Sequence, residues 1–262
     1  MELFSPASRE LFLNLARREV RGRYKGSWLG VAWTMIIPLV LAATYTFVFS
    51  FLLSGSSTPH YPLYIMVGIA FWGFFSAGII AGGGSLLANK NLVTKVQFPR
   101  AIIPASSLSS HFITMLVMLL IMVPASIYWT HNHGVMLLLI PLSILPVVLL
   151  VLGLALAMSV VNVYFRDVEF IVSALLIPWF FCTPILYDLG ALAPLQTHHT
   201  LEFVLRWVNF PTPFIALLQD VIYRGRVPSL ALWLYTFLLG AAVLAAGFAV
   251  FQRLQRDLAV EL

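Results

Sequence analysis

Chemistry requires reactive side chains close together, and in this chain such side chains are few and scattered. The six histidines are His60, His111, His131, His133, His198 and His199. None has the HExxH spacing or a companion thiol or acidic cluster, so no metal site is expected. The only cysteine, Cys182, sits in the apolar run Ile177 to Ile185, with no partner for a disulfide. Asp188, Glu202 and Asp220 could serve an active site in one connecting segment, but isolated carboxylates there are ordinarily solvated. No phosphate-binding GxxxxGKS or GxxxxGKT loop occurs, so any ATP drive has to come from a separate subunit.

Aromatic side chains, in contrast, are plentiful, at 14% of residues. Three groups stand out: Tyr45, Phe47, Phe49 and Phe51; Phe71, Trp72, Phe74 and Phe75; and Trp179, Phe180 and Phe181. Flat rings stack on the apolar C–H faces of sugars and tolerate many orientations, which suits a sliding polymer. The same rings serve equally well as packing. Both readings stand at this point, and Tyr45, Phe49, Phe71, Trp72, Phe75, Trp179 and Phe180 are the candidate lining residues.

The elements that must position these rings follow from composition. Hydrophobic residues make up 61% and charged ones 10%, against about 25% charged in soluble domains, so lipid is the expected solvent. A crossing needs about 20 apolar residues. Six stretches qualify: Ala32 to Leu53, Tyr61 to Leu86, Ser106 to Trp129, Val135 to Val163, Phe170 to Tyr187, and Leu230 to Phe251. The fourth is overlong, and Pro141 and Pro146 are expected to kink it, with neighbouring helices satisfying the freed carbonyls. The expected fold is therefore an all-α integral membrane protein of six transmembrane helices. Residues 1–31 form a cytoplasmic interface segment, 32–251 the six-helix bundle and 252–262 a cytoplasmic tail. The basic cluster Arg17 to Lys25 precedes a stretch too long for a signal peptide, and no cleavage pattern closes it, so this helix is expected to be retained.

Of the 15 Lys and Arg, 12 fall on one side of this topology, which by the positive-inside rule puts both ends in the cytoplasm. That explains the net charge of +5 without nucleic acid. Along Pro6 to Lys25, Leu11, Phe12, Leu15 and Ala16 recur on one helical face and Asn14, Arg18, Arg21 and Lys25 on another. This is an amphipathic interfacial helix or a basic flank that only fixes orientation. The connection Asp188 to Ser229 is too apolar for a solvated loop. It is either a pair of short helices, broken at Pro211 and Pro213, re-entering the outer leaflet, or an amphipathic cap. Gly78 and Gly82, and Gly240 with Ala241, Ala242, Ala245 and Ala246, mark close helix packing, within a chain or between subunits. No ionisable group lies near the middle of a span. His111, well inside the third, is a polar packing residue or a proton relay, and ion-driven transport is disfavoured. No internal repeat is evident.

The run from Arg21 to Trp33, followed by Pro38, resembles the opening signature of permease subunits of polysaccharide-exporting ABC transporters, those moving lipid-linked O-antigen or teichoic acid. The matching positions are Arg21, Arg23, Tyr24, Lys25, Ser27, Leu29, Gly30, Trp33 and Pro38. Lys95, Phe98, Pro99, Arg100 and Pro104, then Tyr164 to Asp167, then Thr183, Pro184, Ile185 and Tyr187, agree in order and spacing. Asn209-Phe210 departs from the Asn-Pro frequent in that family.

The resemblance implies a type-2 exporter half in the bacterial cytoplasmic (inner) membrane. Two copies of the chain would pair with two ATPase subunits that hold the ATP and Mg, this chain having no cofactor. The segment Asn89 to Ile103 would dock on the ATPase, with Asn89, Lys90, Lys95, Phe98, Pro99 and Arg100 as coupling residues. The N-terminal helix would gate the path, and Arg21, Arg23 and Lys25 would meet the pyrophosphate of an undecaprenyl-linked glycan. The alternatives are an exporter of small hydrophobic drugs or lipids on the same fold, with a greasy lateral pocket, and an integral membrane glycosyl or prenyl-phosphate transferase.

Overall fold

Backbone N–H and C=O groups in hydrocarbon have no water to bond, so apolar stretches must satisfy themselves as helices. The computed structural model of the chain describes residues 5–52, 58–130, 136–189 and 199–255, and every regular element among them is helical. The elements are α1 (Pro6–Tyr24), α2 (Trp33–Thr46, running on as a π-helix through Phe47–Leu52), α3 (Tyr61–Ala88), α4 (Lys90–Lys95), α5 (Ile102–Ser107) and α6 (Ser109–Thr130). They continue with α7 (Ile140–Tyr164), α8 (Asp167–Cys182), α9 (His199–Phe203, extended by Val204–Val208), α10 (Pro211–Leu218, extended by Gln219–Tyr223) and α11 (Leu230–Leu254).

Five of these are long and apolar enough to cross a membrane: Trp33–Phe51, Tyr61–Ala88, Ile102–Trp129, Ile140–Tyr164 and Leu230–Leu254. The expected fifth span, Phe170 to Tyr187, is not one helix. Its helical part, α8, has 16 residues and so spans about 24 Å. Thr183 precedes Pro184, which drives it out of the helical region, to φ −96° and ψ 136°. The chain nevertheless reaches the far end of the bundle. Glu169, near the start of α8, lies beside Gly84 near the C-terminus of α3, while the Leu186 and Tyr187 carbonyls accept hydrogen bonds from Tyr61 and Tyr64 at its N-terminus. The unwound turn is thus satisfied by tyrosine hydroxyls, the condition for irregular backbone at membrane depth.

The fourth span is also shorter than expected. Pro141 falls in the first turn of α7, where a missing N–H costs nothing, so it opens the helix instead of kinking it. Pro146 alone lies inside.

The described part of the connection after α8 forms the pair of short helices expected there, bent between Val208 and Pro211. Its two arms, His199–Val208 and Pro211–Tyr223, meet at 80°. At the bend the Phe210 ring lies 6.1 Å from Phe75 and 5.0 Å from Trp179. Phe75 is about 21 Å along α3 from Tyr61 by helical rise. The return arm climbs back to the start of α3, where the Tyr223 hydroxyl donates to the Pro59 carbonyl at 2.6 Å. Pro211 to Ile215, Leu217 and Leu218 are all buried, so the return arm packs on protein, whereas the first arm has no buried residue and leaves Leu201, Phe203, Val204 and Val208 exposed.

At the centre stand α3 and α7. The most apolar window of α3 is 78% buried against 11% for the α2 span and 22% for α11, which places α2 and α11 at the rim. Side chains added at Gly78, Gly82 and Gly83 would strike Val151, Ala155 and Met158 of α7. Ones at Gly240 and Gly247 would strike the backbone of Pro146 and Gly153. Gly78 and Gly82 therefore join helices within this chain, as does Gly240, whereas Ala241, Ala242, Ala245 and Ala246 are exposed on the outer face of α11.

A second, smaller core sits where the basic residues gather. Leu15 of α1, with Leu11 and Phe12, packs among Leu86, Val93, Ile102, Ile103, Val160, Val163 and Phe251. Ser5 caps α1 by accepting from the Ser8 amide, and Pro6 follows it. This face matches the expected amphipathic pattern. Arg100 donates to the Gln255 carbonyl and the Tyr164 hydroxyl to that of Leu254, so α1, α4, the α7–α8 turn and the end of α11 share one end of the bundle.

Candidate functional site

Along one side of α3 the residues at helical spacing are small: Gly73, Ser76, Ala77 and Ala81. A side chain at Gly73 would meet nothing within 4 Å. This stripe floors a groove of about 830 Å³ between α2, α3 and α8, walled by Tyr45, Trp72, Phe180 and Phe181, with His111 and Ser173 among its few polar residues.

The rings singled out in the sequence come together here. Tyr45 stands 5.9 Å from Phe180, and Trp72 lies 5.7 Å from Phe180 and 6.5 Å from Trp179, the latter two edge-on. Their places in the site differ, however. Trp72 and Phe180 line the groove, whereas Phe71 and Phe75 are fully buried beneath it, stacked 5.6 Å apart and supported by Phe210 and Phe214. Trp179 turns away from the groove, towards Phe75 and the hairpin bend. Phe49 lies apart from these rings on the π-helical end of α2, half-buried against the core.

Asn209 fixes the bend to α8. Its Oδ1 accepts from Trp179 Nε1 at 2.7 Å, and its Nδ2 donates to the Cys182 carbonyl at 3.1 Å and to Thr183 Oγ1 at 3.3 Å. Cys182 O is one of the carbonyls left free where α8 ends, so one side chain both closes the helix and positions the hairpin.

At the basic end, Arg23 Nη1 lies 3.1 Å from His111 Nδ1. A guanidinium can only donate, so Nδ1 is the acceptor in this contact. His111 lines two spaces at once: the aromatic groove, and a hollow bounded by Arg18, Glu19, Gly22, Arg23 and Ser110. Arg21 and Lys25 are exposed on either side of Arg23. Sequence reasoning gave His111 a packing or relay role. Its part as the joint between a basic hollow and an aromatic groove has no local signal, because Arg23 is 88 residues away. The small stripe on α3, by contrast, has its signal in the helical spacing of Gly73, Ser76, Ala77 and Ala81.

The segment after α3 presents its polar side outward. Lys90, Asn91, Thr94, Lys95 and Gln97 are exposed, while Val93 points into the small core and Phe98 packs against it. Asn89 caps α3 by donating to the Ser85 carbonyl at 2.9 Å and accepts from Arg18 of α1. Pro99 is half-buried, and Arg100 is held on the end of α11.

The far-end carboxylates are all ion-paired. Arg224 meets Asp188 at 3.3 Å and Asp220 at 2.9 Å, Arg226 meets Asp220 at 2.9 Å, and Arg206 meets Glu202 at 2.8 Å. Burial works against the Arg224 charge, but its hydrogen bond to Asp220 and the charges of Asp188 and Asp220 outweigh that and hold the guanidinium above its ordinary value. No group of three His, Cys, Asp or Glu suited to a metal occurs among the described residues.

A bundle with this crossing pattern and a basic end has the features of a transporter's membrane-spanning subunit, and comparison with known sequences assigns the family. The ABC-2 type transporter family profile matches residues 10–223. The chain belongs to that family. This ABC-2 type subunit is 28% identical over 254 residues to the O-antigen export system permease protein RfbA of Myxococcus xanthus, covering 96% of this chain and 95% of the relative. Two proteins of that name from Klebsiella pneumoniae are 30% identical over 187 and 186 residues, covering 68% of this chain and 69% of each relative. The subunit is a transporter permease and not an enzyme.

Proposed function

We propose that this chain is the transmembrane half of an ATP-driven exporter that moves a lipid-linked polysaccharide, such as an undecaprenyl-pyrophosphate O-antigen, outward across the bacterial cytoplasmic membrane. The observation that carries the reading is the junction at His111. A basic hollow suited to phosphate opens beside a groove walled by rings suited to sugar faces. The names of the relatives point to the same cargo.

The basic end would face the cytoplasm, with both termini there. Arg21, Arg23 and Lys25 would receive the pyrophosphate, and Tyr45, Trp72 and Phe180 would carry the glycan, with Phe71, Phe75 and Trp179 holding those rings in place. Lys90 and Lys95 would meet one of two ATPase subunits, and Asn89, Phe98, Pro99 and Arg100 would brace that segment. A second copy of the chain would close the groove into a path, since α2 and α8 flank it with largely exposed faces such as Val40, Phe47, Phe170 and Ile177.

The mostly apolar groove lining also favours a second reading, export of a small hydrophobic lipid or drug. One experiment separates them. Deleting the gene should abolish surface polysaccharide and leave lipid-linked glycan inside the cell, with restoration by the intact gene. Unchanged surface polysaccharide, with lost resistance to hydrophobic drugs, would establish the second reading.

A further inference from the structure

We infer that Glu169 selects the cargo at the basic end of the aromatic groove, holding the hydroxyls of an uncharged glycan and turning away one with anionic sugars. This role rests on the polysaccharide reading of the groove and narrows its substrate class.

Both walls of the groove continue for one helical turn towards the basic end. On α3 the stripe through Gly73, Ala77 and Ala81 leads on to Gly84. On α8 the lining residues Phe180, Ile177 and Ser173 lead back to Glu169, whose carbonyl accepts from Ser173 Oγ at 2.7 Å. The two walls meet there. A Cβ placed on Gly84 would lie 3.8 and 3.9 Å from the two oxygens of the Glu169 carboxylate. A longer side chain at that position would cover the carboxylate, and glycine leaves it open.

This carboxylate is aimed but not neutralised. Asn162 of α7, only 1% exposed, donates through Nδ2 to the Gly83 carbonyl at 3.1 Å and to Glu169 Oε2 at 2.9 Å, so one amide ties α3, α7 and α8 together. Among the described residues no Lys, Arg or His pairs with Glu169, whereas every far-end carboxylate meets an arginine. Oε1 accepts no hydrogen bond there and is open to the surface. Stabilising the start of α8 asks only for negative charge in its first turn, which the exposed Asp167 supplies. It does not require a buried amide to aim a second carboxylate across a glycine.

A carboxylate has room for about four hydrogen bonds, and Asn162 takes one. Adjacent hydroxyls on a sugar ring can donate to the rest, as charge-assisted bonds about twice as strong as neutral ones. A uronate or phosphate in the same place would bring a like charge against one that has no cation beside it. Glu169 lies about 16 Å along α8 from Phe180 by helical rise, so a glycan entering from the basic end meets the carboxylate before the rings.

The test is transport by the purified chain with its ATPase in proteoliposomes, using two synthetic undecaprenyl-pyrophosphate oligosaccharides of equal length. One is built of neutral hexoses, and the other carries hexuronic acids next to the pyrophosphate. The wild type should move the neutral glycan at least tenfold faster, the effect of one like-charge contact. Glu169→Gln keeps the side-chain volume and the acceptor for Asn162, so it should insert and unfold like the wild type. Its preference for the neutral glycan should nevertheless fall about tenfold. A role confined to fixing the start of α8 would slow both glycans alike, so an unchanged preference in the variant would overturn the assignment. Equal rates for the two glycans in the wild type would overturn it too. The neutral glycan separates the two failures. If the wild type moves it, only the role of Glu169 falls; if it does not move while the ATPase hydrolyses ATP, the polysaccharide reading falls as well.

Discussion

At the scale of single residues, α3 carries two kinds of glycine that sequence alone does not distinguish. A side chain at Gly82 would strike the backbone and side chain of Ala155, whereas one at Gly73 would enter open space in the groove. Overpacking a close helix contact costs about 1–3 kcal/mol and sometimes more. Gly82→Leu should therefore lower the yield of folded protein and its unfolding temperature in detergent. Gly73→Leu should fold and insert like the wild type, and yet reduce surface polysaccharide at least tenfold by filling the groove. Quantitative blotting of the membrane fraction beside a surface-glycan assay reads both. The GxxxG spacing of Gly78 and Gly82 announced close packing in the sequence. Its partner did not show there, because Val151 and Ala155 lie some 73 positions away.

At the scale of elements, the hairpin is held by close packing of its return arm on the core and by a small set of polar contacts. Asn209 makes three of these contacts, to Trp179, Cys182 and Thr183. Interhelical hydrogen bonds in membranes contribute about 0.6 kcal/mol each on average, so Asn209→Ala should cost about 2 kcal/mol. Trp179→Phe removes one shared bond and leaves a smaller aromatic ring in the same place. The double variant should thus be less destabilised than the sum of the singles by about 0.5–1 kcal/mol, measured by reversible unfolding in mixed micelles. Hydropathy marked α3 and α11 to within three residues because each is uninterrupted apolar sequence. It overextended α8 because Thr183, Pro184, Ile185 and Tyr187 are compatible with a span by composition. The turn that ends the helix depends on Pro184 locally and on Tyr61, Tyr64 and Asn209 at long range. The aromatic candidates were likewise legible as a group, but which rings face the groove depends on helix rotation, fixed by α7 and the hairpin and not by the rings themselves.

At the scale of the whole molecule, the two ends are chemically different and the groove adjoins the basic one at His111. Arg23 and His111 join the basic hollow to the ring-walled groove. This asymmetry suits a cargo with a charged phosphate head and a long polyhydroxylated body, loaded at the basic end and driven by an ATPase bound beside it. The most direct measurement is transport by the purified chain with its ATPase in proteoliposomes, using fluorescent undecaprenyl-pyrophosphate glycan in the outer leaflet and the ATPase facing outward. ATP should carry the glycan to the interior, where added glycosidase cannot reach it. Protection should fail without ATP and fall at least tenfold with Gly73→Leu. Glycan that remains fully accessible to glycosidase in the presence of hydrolysing ATPase would contradict the account.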